Sequence, residues 1–203
     1  MIPSYASLEQ YRRAIDAPWF TSPFDLNLII ARSGNVGIWD DQVLFAFTDD
    51  GGRNVVEAYT ATGDAWEGEW TDPSNAEGCI YILDQHVPGG LELGKFKNRR
   101  ALRQQKPYEF VRWPKEYNRI PTVAELEALD RQTGNQGTHI HNRVSGLAPL
   151  KPGTDDSEGC TVFLYQHQYA GMLRLVEEQK KRHGSTVISP TYCKLTALPD
   201  PGD

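Results

Sequence analysis

The sequence predicts a mainly β fold with two or three packed helices. The apolar segments are short and separated by turn residues, with 18 Gly and 13 Pro in 203 residues. Only a few stretches show apolar side chains at helical spacing, and the others alternate or cluster as strands do. Hydrophobic content of 39% and charged content of 24% suit a chain that folds around a core of its own.

The elements follow in order. Residues 7–17 read as a helix with Ser7 as cap, Gln10 three residues on and a stripe of Leu8, Tyr11 and Ile15; Pro18 ends it. Leu26, Leu28 and Ile30 alternate with Asn27 and Ile29 as a strand would. Residues 42–48 form a second strand, Asp49-Asp50-Gly51-Gly52 a hairpin turn and residues 54–60 the return strand. Residues 61–77 read as an irregular loop in which Trp66 and Trp70 anchor the chain, with a glycan-stacking surface as the alternative. Residues 79–83 and 108–112 read as strands, and residues 84–107, rich in Gly, Lys and Arg, as a loop covering the sheet.

Residues 121–133 carry a capping box, Thr122 with Glu125, and an apolar face of Val123, Leu126 and Leu129. Residues 137–143 read as a strand. Residues 166–183 read as a helix with Tyr169, Met172, Leu173 and Val176 on one face, a basic last turn, and Gly184 to end it. Residues 186–198 form the last strand. The whole, 1–203, reads as a single domain in which residues 1–20 are an N-terminal helical extension.

Charge and cysteine usage exclude several classes. With 21 Lys+Arg against 27 Asp+Glu the net charge is −6, and no basic block exceeds Lys180-Lys181-Arg182, so no nucleic-acid partner is expected. Apolar runs reach only about five residues against the roughly 20 of a membrane span, so no membrane is expected either. The first residues show no basic segment followed by an apolar one, so no Sec signal is expected. Cys79, Cys160 and Cys193 are odd in number, widely spaced and without a CxxC pair, which fits neither a disulfide framework nor a zinc ribbon.

The chemistry concentrates in residues 137–163, GTHIHNRVSGLAPLKPGTDDSEGCTVF. On a strand, His139 and His141 share one face and Ile140 and Asn142 the other. Cys160 stands at the mouth of the next apolar run, where it can meet a histidine across a sheet. A thiol with an intrinsic pKa of ~8.5 needs such a base to become a nucleophile at neutral pH. Gly159 allows close approach of a substrate, and the amides about Gly159 and Cys160 suit an oxyanion.

His141, the intervening loop and Cys160 within an S-x-G-C turn together resemble the signature of the L,D-transpeptidase catalytic domain. The matching pieces are Ile140-His141-Asn142 and Ser157-Glu158-Gly159-Cys160, with Trp39-Asp40-Asp41 resembling an upstream element of a phage-associated branch. The resemblance implies a β-sandwich or curved sheet of the L,D-transpeptidase type. It implies Cys160 as nucleophile and His141 as its base, the imidazole oriented by a neighbouring backbone carbonyl. It implies no cofactor, and peptidoglycan stem peptides as substrate, hydrolysed or exchanged through a thioester. Gly159, Ser157, Arg143 and His139 are the companion substrate or oxyanion candidates, Arg143 as an anchor for a substrate carboxylate. The chain departs from the family where Glu158 replaces a histidine, Asn142 replaces a glycine and Thr161-Val162 follow the cysteine.

Alternatives stand beside this reading. Cys160 on its own would pack in a core, as Cys79 and Cys193 are expected to do. His139 can serve as base instead. His139, His141 and Cys160 have the residue types of a zinc site, hence a zinc hydrolase, although no metal is implied by the resemblance. A module that keeps the fold and binds cell wall without catalysis is the other alternative. Without a Sec signal, a product made in the cytoplasm would reach the wall in a phage or secretion particle, whose proteins would then be partners.

Overall fold

A computed structural model describes residues 2–142 and 158–199. The elements run α1 (Tyr5–Ala14), β1 (Asn27–Arg32), β2 (Asp41–Thr48), β3 (Asn54–Thr62), α2 (Glu67–Thr71), β4 (Cys79–Ile82), β5 (Gln85–His86), β6 (Leu91–Phe96), β7 (Arg99–Gln104), β8 (Tyr108–Trp113), α3 (Val123–Glu127), β9 (Gln132–Gly134), β10 (His139–Asn142), β11 (Thr161–Phe163), α4 (Gln166–His183), β12 (Val187–Ile188) and β13 (Pro190–Lys194). A ten-stranded sheet has the order β12-β6-β7-β10-β11-β3-β2-β1-β13-β5, and a three-stranded sheet the order β4-β8-β9. The fold is mainly β, as expected, with four α-helices among the described residues, two of them a single turn. None of these helices is long and apolar enough to cross a membrane.

The β2–β3 hairpin forms as the alternation predicts. Asp49 shapes its turn by accepting the N–H groups of Gly51 and Arg53 at 2.8 and 2.9 Å, and Gly52 takes a positive φ of 76°. β1 lies beside β2 and is buried along its whole length, because both of its faces are covered. Leu28 and Ile30 join Val43, Phe45 and the α4 residues Met172 and Val176 in the main core. Ile29 and Ala31 meet Tyr5 and Leu8 of α1 and Cys193 on the other face. Asn27 is tolerated there because its side chain satisfies Phe20 on both sides, accepting its N–H at 2.9 Å and donating to its carbonyl at 2.8 Å. A third cluster gathers Trp70, Cys79, Tyr81, Trp113 and Leu126 around the small sheet.

Several boundaries differ from expectation. Helix α1 starts earlier: Ser4 rather than Ser7 is the cap, its Oγ accepting the Ser7 N–H at 3.1 Å, while Ser7 itself is buried. Residues 84–107 are not a loop. They contain β5 and the β6–β7 hairpin, closed by Lys97 and Asn98 with φ of 45° and 63°. A two-residue turn with both φ positive matches the strand twist even without glycine, and Leu93 opposite Leu102 gives the hairpin its apolar face. Residues 61–77 include α2, and Trp70 is fully buried. The Thr122–Glu125 capping box is present, but α3 stops at Glu127 because Gln132–Gly134 pairs with β8 as a sheet edge. Tertiary pairing here overrides helical propensity. The last segment divides into β12 and β13, with Pro190 opening the latter, where its missing N–H is tolerated. Helix α4 and its Gly184 terminus, φ 71°, match the expected limits.

Burial on both faces of β1 has a direct consequence. Ile29→Ala and Ile30→Ala are each expected to lower unfolding free energy by about 2–5 kcal/mol, measured by urea denaturation. A strand with one wet face would show this for only one of the two.

Candidate active site

The site grows from β10. This strand pairs antiparallel with β7 and parallel with β11, with Ile140 level with Thr161 and His141 level with Val162. Ile140 is fully buried in the main core, so strand alternation turns His139 and His141 to the opposite face. Phe96 at the end of β6 lies against both rings, with centroids 4.5 Å from His139 and 5.3 Å from His141. Continuing the parallel register back by one residue sets His139 level with Cys160.

The sulfur meets the strand there: Cys160 Sγ accepts the backbone N–H of His139 at 3.4 Å. The turn that delivers it is pressed against β4. Ile80 N–H donates to the Glu158 carbonyl at 2.9 Å. Gly159 has φ 142°, and a Cβ on it would lie 2.2 Å from Ile80 Cγ1 and 2.9 Å from the Ile80 carbonyl oxygen. Only glycine fits both the conformation and the space.

The two imidazoles are held in different tautomers. His141 Nδ1 lies 2.9 Å from the Asn142 carbonyl oxygen, which only accepts, so Nδ1 carries the proton and Nε2 the lone pair. His139 Nδ1 instead accepts the Gln104 N–H at 3.4 Å, leaving its proton on Nε2. Asn142 donates from Nδ2 to Gln166 Oε1 at 2.6 Å and so ties β10 to the start of α4.

Cys160, Gly159 and His139 line one cleft of about 460 Å³, together with Ser74, Arg112 and Gln136. His141 is on the same strand face but not part of the cleft wall. Arg143 and Ser157 lie outside the described residues. Several cleft residues were missed from the sequence. Lys97 comes from the β6–β7 turn, Arg112 from β8, and Ser74 and Asn75 from the α2–β4 connection. They belong to segments distant in sequence with no shared motif, so no local signal marks them. Cys79 and Cys193 are fully buried in separate clusters, as expected for packing cysteines. Among the described residues no three His, Cys, Asp or Glu side chains are grouped to hold a metal ion.

The electrostatics favour neutral groups at rest. Burial pushes the Cys160 thiol up to about 11; Glu158 adds to this, while the His139 N–H and Lys97 oppose it. Burial pushes His139 down to about 4, with His141 and Arg103 adding to the effect. Glu158 is tied to the far wall, its Oε1 accepting from Ser74 Oγ at 2.6 Å and its Oε2 from Asn75 Nδ2 at 3.2 Å. Asp41, within the Trp39-Asp40-Asp41 element, takes another role. It accepts the N–H groups of Ser33 at 2.7 Å and Gly63 at 2.6 Å, joining the β1–β2 loop to the end of β3.

Alkylation of Cys160 by iodoacetamide, followed by peptide mapping, is expected to titrate near pH 11. Lys97→Gln removes a charge that favours the thiolate, so it raises the midpoint and slows alkylation at pH 8 by roughly two- to fivefold. Glu158→Gln removes a charge that disfavours it and acts in the opposite direction. A wild-type midpoint near ~8.5 would contradict the burial argument.

No protein-family model, no curated protein and no solved structure matches this chain, so the reading of its function rests on the residues and their placement.

Proposed function

We propose that this chain is a cysteine-dependent peptidase or transpeptidase acting on the stem peptides of peptidoglycan, as its motifs resemble those of L,D-transpeptidases. The observation that carries the reading is the meeting of the Cys160 sulfur with the His139–Asn142 strand in an open cleft. The tautomer of His141 supports it, since Nδ1 carries the proton toward the Asn142 carbonyl and a general base must be unprotonated on its other nitrogen.

In this reading His141 Nε2 takes the Cys160 proton as the sulfur attacks a peptide carbonyl carbon. The carbonyl electrons move to oxygen, and the amides of the Gly159–Cys160 turn receive the oxyanion. Collapse expels the amine, which leaves with the proton held by His141, and a thioester remains on Cys160. Water then releases an acid, or a second amine forms a new peptide bond; each donates a proton to His141 and returns the thiol. With the resting thiol at about 11, proton transfer accompanies attack and no ion pair waits for substrate. Delivery to the wall in a phage or secretion particle belongs to the same proposal.

A second reading, a wall-binding module without catalysis, draws on the burial of Cys160 and its raised thiol pKa. Muropeptide digestion followed by mass spectrometry separates the two. Cys160→Ala is expected to abolish product, and His141→Gln to lower the rate by about 10²–10⁴, with His139→Gln much milder. Product unchanged in Cys160→Ala rules out the enzyme; a reversed order of the histidine variants makes His139 the base.

A further inference from the structure

The β6–β7 hairpin concentrates positive charge in an acidic chain. Residues 91–104 carry five Lys or Arg against one carboxylate, Glu92, which stands opposite Arg103, in a protein of net charge −6. Register sets part of that charge on the strand next to β10, two strands from Cys160. Arg103 is directly opposite His139, and Arg99 is opposite Phe96, the ring that contacts both histidines. Antiparallel partners share a face, and β7 alternates with period two. Arg99, Arg103, His139 and His141 therefore all project from one side of the sheet. Gly94 clears the way for the Arg103 side chain: a Cβ there would lie 2.8 Å from Arg103 Cδ. Lys97, at the hairpin tip, lines the cleft with Cys160.

Other arginines near the cleft hold the fold. Arg100, on the other face, pairs with Glu177 of α4. Arg112, across the cleft, is engaged by the Gly78 carbonyl, Gln136 and Glu77. Arg99 and Arg103 have no carboxylate within ion-pair distance among the described residues, and Arg103 is exposed. The facing wall carries the Glu158 carboxylate, already occupied by Ser74 and Asn75. Arg99 and Arg103 stand four residues apart on β7, so an extended peptide laid along that strand would meet both with carboxylates about 13 Å apart.

We propose that Arg99 and Arg103, with Lys97 at the turn, read the free side carboxylates of the stem peptide and make the site selective for acidic stems over amidated ones. The proposal rests on the reading of Cys160 as a stem-peptide nucleophile. The hairpin contributes binding, so it acts on KM and leaves kcat nearly unchanged.

The test uses the full chain carrying Cys160→Ala and two synthetic stem tetrapeptides. One has free side carboxylates, and in the other these are primary amides. By calorimetry, the acidic peptide is expected to bind about tenfold tighter. Arg99→Gln with Arg103→Gln should erase that difference while leaving affinity for the amidated peptide unchanged. A salt series on the unmodified hairpin serves if that variant does not fold. The preference should fall toward unity by 1 M salt, where charges are screened within ~3 Å. Equal affinities, or a preference untouched by salt and by the arginine changes, overturn the proposal. Arginine-dependent binding of duplex DNA or anionic lipid vesicles with no preference between the peptides also overturns it. If protein with an intact Cys160 cleaves both peptides equally well, the selectivity falls while the enzyme stands. If it cleaves neither yet the arginine-dependent binding preference persists, the enzyme falls while the hairpin's role stands.

Discussion

The site depends on one parallel strand pairing. β10 contributes four residues and β11 three, yet their register decides which side chains meet. Ile140 in the core locks the face of β10, and a slip of one residue would turn both histidines into the core and the isoleucine out of it. Phe163 of β11, buried in the same core, locks the other strand. Two short strands anchored by single apolar residues thus fix a sulfur, two imidazoles and the turn between them.

Around that pairing the protein surrounds the reactive groups with low-dielectric walls. Burial keeps both Cys160 and His139 uncharged at neutral pH. Glu158 is held by the neutral donors Ser74 and Asn75, and the cleft also carries Arg112 and, from the β6–β7 turn, Lys97.

What could be read from the sequence was what local rules encode. Helix α4 was legible because its apolar spacing, basic last turn and Gly184 agree within one segment. The β2–β3 hairpin was legible because Asp49 and the glycine pair announce their turn. The β6–β7 hairpin was not, because Lys97-Asn98 carries no glycine and its strands present charge on their open faces. The same divide runs through the site. His139, His141, Gly159 and Cys160 fall in one short window, whereas Arg112, Lys97 and Ser74 are assembled by strand order alone. The short reach of α3 teaches the same lesson: a sound capping box starts a helix but does not set its length.

The ends of the large sheet have a consequence for colloidal behaviour. Ten strands usually leave two long open borders, each a template for another chain. Here the terminal strands, β12 and β5, have two residues apiece. β12 covers only Leu91 and Glu92, so the border an incoming strand would meet is the outer edge of β6 from Leu93 to Phe96, where the charge of exposed Lys95 works against fibre-like pairing.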